Sequence, residues 1–171
     1  MTGAESSVPQ ASAAGRSAGG IFASDAAGRL LVDERTRLAV ESLVALNPAD
    51  ALPRLMEAEV QGLPPGAAAA AQELVQRFEG YQAAQRTAFP PGQAPLVPQE
   101  GLAELDAVVA LRSSYFGADA ARRMFGADEA VTRRLLQLMA EERNTALSME
   151  QKATLAQQRF DQERATAGPS R

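Results

Sequence analysis

Alanine is the feature that most constrains this chain, because it supplies 36 of the 171 residues. Leu follows with 18 copies, whereas Ile occurs once. Unbranched side chains lose little rotamer freedom in a helix, so this balance favours helices over strands. Leu, Val, Phe and Ile together make up about a fifth of the chain, close to the lower limit for a globular core. We therefore expect an all-α protein with a thin core.

Two missing residue types exclude most familiar catalytic chemistry. The chain has no His and no Cys, which removes the base of a Ser-His-Asp triad, thiol nucleophiles, disulfides and zinc sites built on these residues. Ser113 and Ser114 are adjacent, but the only Lys, Lys152, is distant in sequence and cannot be assigned to them as a base. We expect no enzyme active site, no metal site and no cofactor.

Acidic pairs are the remaining catalytic candidates. Neighbouring residues on a helix point in different directions, so such pairs cannot flank one substrate atom as an acid and a base. We interpret them as solvated helix charges, and Asp128 and Glu129 as partners of a helix dipole in a predicted first turn. An enzyme that uses carboxylates alone is the remote alternative. The pairs are Glu57 with Glu59, Asp128 with Glu129, and Glu141 with Glu142.

The charge distribution argues against nucleic acid as a partner. The net charge is −4, with 7 basic and 11 acidic residues in 1–100 and 10 of each in 101–171. No basic stripe is present that would neutralise phosphates. The sequence also has no apolar run long enough to cross a membrane and no signal peptide at its start. We expect neither a nucleic-acid partner nor a membrane span within it.

Segments of small polar residues or prolines divide the chain. Residues 1–24 are interpreted as a flexible linker, since they carry too few apolar groups to offset the entropy of ordering. Four prolines in 88–100 oppose helix formation and indicate a second linker. Residues 166–171 are expected to be a disordered end. Two helical blocks remain, 25–87 and 101–165.

The first block is predicted to be a three-helix mini-domain. Asp33 fits the N-cap of a helix that runs to Leu46, and Asn47 and Pro48 end that helix and begin the next. Pro64 and Pro65 precede the third helix. Apolar residues recur at helical spacing throughout, and in the first helix they predict a broad core-facing side made of Leu38, Val40, Leu43, Val44 and Leu46.

The second block is predicted to contain four helices. Gly117 and Gly126 each follow a phenylalanine and are interpreted as helix ends, so Phe116 is expected to pack against Phe125. Ser148 and Gln151 have the spacing of a capping box. The predicted helices run from Gly101 to Phe116, from Asp119 to Phe125, from Asp128 to about Asn144, and from Ser148 onward.

Four stretches of the chain share their order and pattern with one protein family. They are 25–33 (DAAGRLLVD), 74–84 (LVQRFEGYQAA), 115–130 (YFGADAARRMFGADEA) and 146–153 (ALSMEQKA). The third is similar to a Phe-Gly…Phe-Phe-Gly-Glu-Glu-Glu-Ala pattern, and the fourth to Leu-Ser-x-Glu-Glu-Lys-Ala. In this order the stretches resemble the lipase-specific foldases, the periplasmic steric chaperones of secreted bacterial lipases.

The resemblance directs attention to the first helix. The family signature there reads Arg-x-x-Phe-Asp-Tyr-x-Leu-Ser-Ala-x-Gly-Glu, and residues 36–48, TRLAVESLVALNP, keep only Leu43 and Ala45 in register. Arg35 or Arg37 stands one residue from the position of the family's Arg. The resemblance therefore implies Arg35, Leu43 and Ala45 as partner-binding residues.

The resemblance also implies an architecture and a function. The mini-domain would be followed by an extended, non-globular helical arm at 101–165, and the protein would bind a secreted lipase or related α/β-hydrolase and assist its folding without ATP. It would act in the periplasm, anchored to the inner membrane by a segment upstream. Family members continue through further helices, so we expect a truncated or shortened relative. The altered signature leaves a helical scaffold or binding module without foldase activity as the alternative.

Overall fold

A computed structural model of the chain describes residues 20–168 and consists of helices. Within these residues no strand is present, and a β-bridge joins Ser24 to Leu30. The expectation of an all-α fold is therefore confirmed. Most of the predicted linker 1–24 and the last three residues of the predicted end lie outside the described residues. The helices are α1 (Glu34–Leu46), α2 (Leu52–Glu59), α3 (Pro65–Ala88), α4 (Pro98–Phe116), α5 (Ala118–Glu141) and α6 (Met149–Ala167).

The helix caps agree with the sequence where a short side chain provides them. The Asp33 carboxylate accepts a hydrogen bond from the backbone N–H of Thr36 at 3.0 Å, which starts α1. Ser148 and Gln151 form both hydrogen bonds of a capping box at the start of α6. Both predictions are confirmed, because each depends only on residues within one turn.

The predicted helix end at Gly126 is wrong. Helix α5 runs without interruption from Ala118 to Glu141. Gly117 has a φ of +79° and separates α4 from α5, whereas Gly126 has no positive φ and no proline follows it. A glycine inside a helix costs about 1 kcal/mol relative to Ala but does not end it. Asp128 and Glu129 consequently lie in the middle of α5, not in a first turn.

Four aromatic rings form the centre of the core. Phe116 lies with ring centroids 5.9 Å from Phe78, 5.4 Å from Tyr81 and 5.9 Å from Phe125. Ring pairs at these separations contribute beyond the area they bury. The predicted packing of Phe116 against Phe125 is confirmed. The cluster joins α3 to the end of α4 and the start of α5.

The core also includes a residue that the sequence assigned to a linker. Phe22 is fully buried in the same cluster as Phe78, so the folded part begins before the boundary predicted at residue 24. Ile21 packs beside it, and an isolated apolar pair among small residues gives no periodic signal. The cluster contains residues from both sides of the segment 88–100; the division into a mini-domain and an arm remains a prediction.

Helix α6 packs on α5 through a second, smaller cluster. Leu138, Met139 and Ala156 are its buried members, and Leu136 packs against them. The apolar side of α6, which includes Met149, Ala156 and Phe160, is thus packed against α5. Near this second cluster, α4 approaches α5 closely at Gly101, where a Cβ would lie 2.8 Å from a Leu136 methyl carbon. Helix α6 extends to Ala167, into the predicted disordered end.

Candidate partner-binding surface

Helix α1, to which the predicted partner-binding residues belong, is fixed by its inner side. Val40 is fully buried in the main core, and α1 packs against α3 and α5. The Thr36 hydroxyl donates a hydrogen bond to the backbone carbonyl of Leu31 at 2.8 Å, which ties the first turn to the preceding segment. A helix held along one side presents its opposite side in a fixed orientation.

Arg37 is a buried polar anchor on this inner side. Its Nη2 donates to Asp128 Oδ2 at 2.7 Å, and its Nη1 donates to Glu41 Oε1 at 3.1 Å. The guanidinium lies 5.3 Å from the ring centroid of Phe125. Its Nε is buried without a hydrogen-bond partner in the described chain. Arg37 therefore joins α1 to α5 and is not available on the surface.

A second arginine, Arg112 on α4, joins α4 to α3 and α5 around the same ring. The Arg112 guanidinium lies 4.2 Å from the centroid of Phe125, its Nε donates to the Tyr81 hydroxyl at 3.0 Å, and its Nη1 donates to Glu129 Oε1 at 2.7 Å. Burial disfavours the charged form of Arg112, but the hydrogen bonds to Glu129 and Tyr81 outweigh this and raise its pKa.

The interpretation of Asp128 and Glu129 as dipole partners in a first turn is wrong, and Glu129 is not solvated, whereas Asp128 is solvated as expected. The Glu129 side chain is only 15% exposed and is paired with Arg112, and Asp128, 60% exposed, is paired with Arg37. Because α5 continues past Gly126, both carboxylates face arginines from other helices. The two arginines and two carboxylates are paired with each other, so they hold helices together.

The outer side of α1 carries exposed apolar groups. Arg35 and Ala45, which the sequence predicted, are both exposed on it. Leu43 is half-buried and packs against the main core, so it supports this side from behind. Leu38 and Leu46 are 49% and 81% exposed. Their expected place in the core-facing side is wrong, because they lie at helical spacing with Arg35 and Ala45, away from Val40.

Leu38 and Leu46 are the residues that the sequence reading missed as surface candidates. The signal was present, because at 100° per residue Leu38 lies about 160° and Leu46 about 120° from Val40 around the helix. A small domain can cover only part of a broad apolar stripe on a helix, and the rest of the stripe stays in solvent. Isolated exposed leucines are ordinary, but two on one helix side beside a cation form a small contact surface.

Two features, a cluster of metal ligands and a membrane-spanning helix, are absent from the described residues. Between residues 20 and 168, no group of three Asp or Glu side chains is placed to hold a metal ion. In the same range, no helix combines the length and apolar character needed to cross a membrane.

Comparison with known proteins identifies the family. No curated protein matches the chain. The family model of the proteobacterial lipase chaperone protein matches residues 74–166. The matched region is more than half of the chain and runs from the middle of α3 through α6, while α1 lies outside it. On this match, the chain belongs to the proteobacterial lipase chaperone family.

Proposed function

We propose that this protein is a periplasmic foldase that binds a secreted lipase or related α/β-hydrolase, its client, and assists its folding without ATP. The single observation that supports this most strongly is the family match over residues 74–166. Without ATP, a chaperone shifts the client only by binding the native-like state more tightly than trapped states. Such an activity requires a shaped surface and no reactive groups.

The outer side of α1 is the surface we propose for client binding. Leu38 and Leu46 supply apolar area, Arg35 supplies a cation at the N-terminal end, and Ala45 leaves room for a close approach. Leu43 keeps this side in place through the core. The surface is rigid because Arg37 and Val40 fix the opposite side, so little ordering entropy is lost on binding.

Refolding of a client tests the proposal. A proteobacterial secreted lipase, unfolded in urea, is diluted with and without the protein, and recovered lipase activity is measured. We expect the wild type to restore lipase activity. The double variant Leu38→Ala and Leu46→Ala should need about a tenfold higher concentration for the same recovery, since truncated interface residues at the centre of a contact typically cost about 1–2 kcal/mol in total. Leu96→Ala is the matched control, because Leu96 is 79% exposed but lies outside α1.

No gain in lipase activity with the wild type would reject the foldase role. The same experiment separates the alternative, a helical scaffold that binds without assisting folding. That alternative is favoured by the first helix, where Ala39, Val40 and Glu41 stand in place of the signature Phe-Asp-Tyr, and Val40 is fully buried. A stable complex with unchanged lipase activity would select it.

The proposed location is the periplasm, with an inner-membrane anchor in the full-length protein upstream of this chain. The family supports this location, because its clients are secreted lipases. Protease treatment of spheroplasts from cells that express the full-length protein tests it: degradation only after the outer membrane is opened is the expected result.

A further inference from the structure

A groove of about 280 Å³ lies between α2 and α3. Leu52 and Met56 from α2 and Val75 from α3 line it, and all three are buried. Helix α2 makes no extensive packing with another helix in the described chain, so the groove is left open between α2 and α3. The volume is slightly below that of common small-molecule pockets and is enough for one or two apolar side chains.

The rim of this groove is polar and carries charge of one sign. Gln72, Gln76 and Glu79 follow one another at helical spacing along α3, and Glu57 lines the groove from α2. No Lys or Arg is among the described residues that line it. The two carboxylates form no ion pair with any residue between 20 and 168.

A second cavity along α3 differs from the groove, because the carboxylate at its rim is paired with an arginine. That cavity, of about 160 Å³, is lined by Glu73 and Arg77, which pair with each other within α3. The charge at its rim is therefore neutralised inside the chain. At the α2–α3 groove, Glu57 and Glu79 leave a negative rim around an apolar floor, which attracts a cation at the edge of an apolar group.

We propose that the α2–α3 groove binds an apolar side chain of the client that is flanked on the client's surface by Lys or Arg. The apolar side chain contacts Leu52, Met56 and Val75, and the flanking cation pairs with Glu57 or Glu79. The amide groups of Gln72 and Gln76 can donate to or accept from the client backbone beside it. This inference rests on the proposed function, because it specifies the chemistry of the same client.

Binding of a urea-unfolded proteobacterial lipase, labelled with a fluorophore and diluted into buffer, tests the groove by anisotropy. The double variant Glu57→Lys and Glu79→Lys reverses the rim charge, and we expect its Kd to be about tenfold higher, with a weaker dependence of Kd on salt. Gln76→Trp places an indole over the floor, and we expect a similar loss. All three positions are at least partly exposed, and circular dichroism checks that the variants fold.

Glu104→Lys is the matched control. Glu104 is half-exposed like Glu79 and has no ion pair in the described chain, but it lies on α4. We expect its Kd to stay within about twofold of the wild type, since a single remote surface charge contributes little. Wild-type affinity in both the double variant and Gln76→Trp would overturn the groove proposal.

The wild type separates this inference from the proposed function. If the wild type restores lipase activity and the groove variants bind equally well, the groove proposal fails alone. If the wild type neither binds nor reactivates the lipase, both fail. If Gln76→Trp instead abolishes self-association measured by analytical ultracentrifugation, the groove belongs to a second copy of this chain and the proposal is overturned.

Discussion

The aromatic core and the α5–α6 end of the molecule are held together by different interactions. Phe78, Tyr81, Phe116 and Phe125 bury large rings from three helices against each other. At the other end, α6 covers a short apolar patch with Ala156 and the partly buried Met149 and Phe160, and ion pairs lie along its edge. Those pairs join Arg134 to Glu163 and Arg159 to Glu142.

The difference separates global from local stability. Burial of a large ring stabilises the fold by several kcal/mol, whereas an exposed ion pair contributes at most about 1 kcal/mol. The aromatic core therefore sets the unfolding transition of the whole chain. Helix α6 is expected to detach from α5 well before that transition.

The largest expected effect comes from the ring that both buried arginines contact. Phe125→Ala should lower the free energy of unfolding by about 3–5 kcal/mol, because it leaves a cavity and removes the contact surface of Arg37 and Arg112. Urea denaturation followed by circular dichroism measures it. Phe160→Ala on α6 is the control, since Phe160 is only partly buried, and it should change the main transition little. Equal losses for both would contradict the comparison.

An intermediate effect is expected from the Arg112 clamp. Arg112→Ala should destabilise the protein by about 2 kcal/mol, because it leaves Glu129 half-buried without its cation and the Tyr81 hydroxyl without a donor. Arg122→Ala removes an exposed pair with Asp119 and should cost no more than about 0.5 kcal/mol. Thermal denaturation of the two variants side by side checks the ratio, and similar values would mean that burial of the clamp has no energetic importance.

The smallest effect is local and depends on pH. Hydrogen bonds from Arg134 hold the pKa of Glu163 below its ordinary value of 4.5, against a desolvation effect that raises it. Because the folded-state pKa is lowered, this contribution to α6 docking is fully present above pH 4.5 and is lost as the pH falls through the lowered pKa. Hydrogen exchange should show α6 amides losing protection in acid while α3 amides keep theirs.

Glu163→Gln should reproduce the acid effect at neutral pH, and Glu150→Gln, on the same helix without an ion pair in the described chain, should not. Protection that falls in α3 and α6 together would show that the two ends unfold as one unit.

The sequence predicted the features that depend on neighbouring residues and missed those that depend on distant ones. The caps at Asp33 and Ser148 involve side chains and amides three residues apart, so their chemistry is readable directly. Asp128, which pairs with Arg37, is 91 residues away in sequence, and no periodic pattern predicts that contact. Glu129 was misjudged for the same reason, because its environment was assigned from a helix start that does not exist.

The surface of α1 was predicted in part. Arg35 and Ala45, which the family resemblance implies as partner-binding residues, are exposed, and their contact with a client stays a prediction. Leu38 and Leu46 were assigned to the core because their apolar character was counted without their angular position. For a short helix in an alanine-rich chain, the angle decides which leucines the thin core can accommodate.

Gly101 links the start of α4 to the α5–α6 end of the molecule. The Leu136 methyl that would meet a Cβ at residue 101 belongs to the side chain that also supports the contact between α5 and α6. A larger residue at 101 would require this leucine to move within the cluster through which α6 packs on α5. The packing of the C-terminal helix therefore depends in part on a glycine that belongs to another helix.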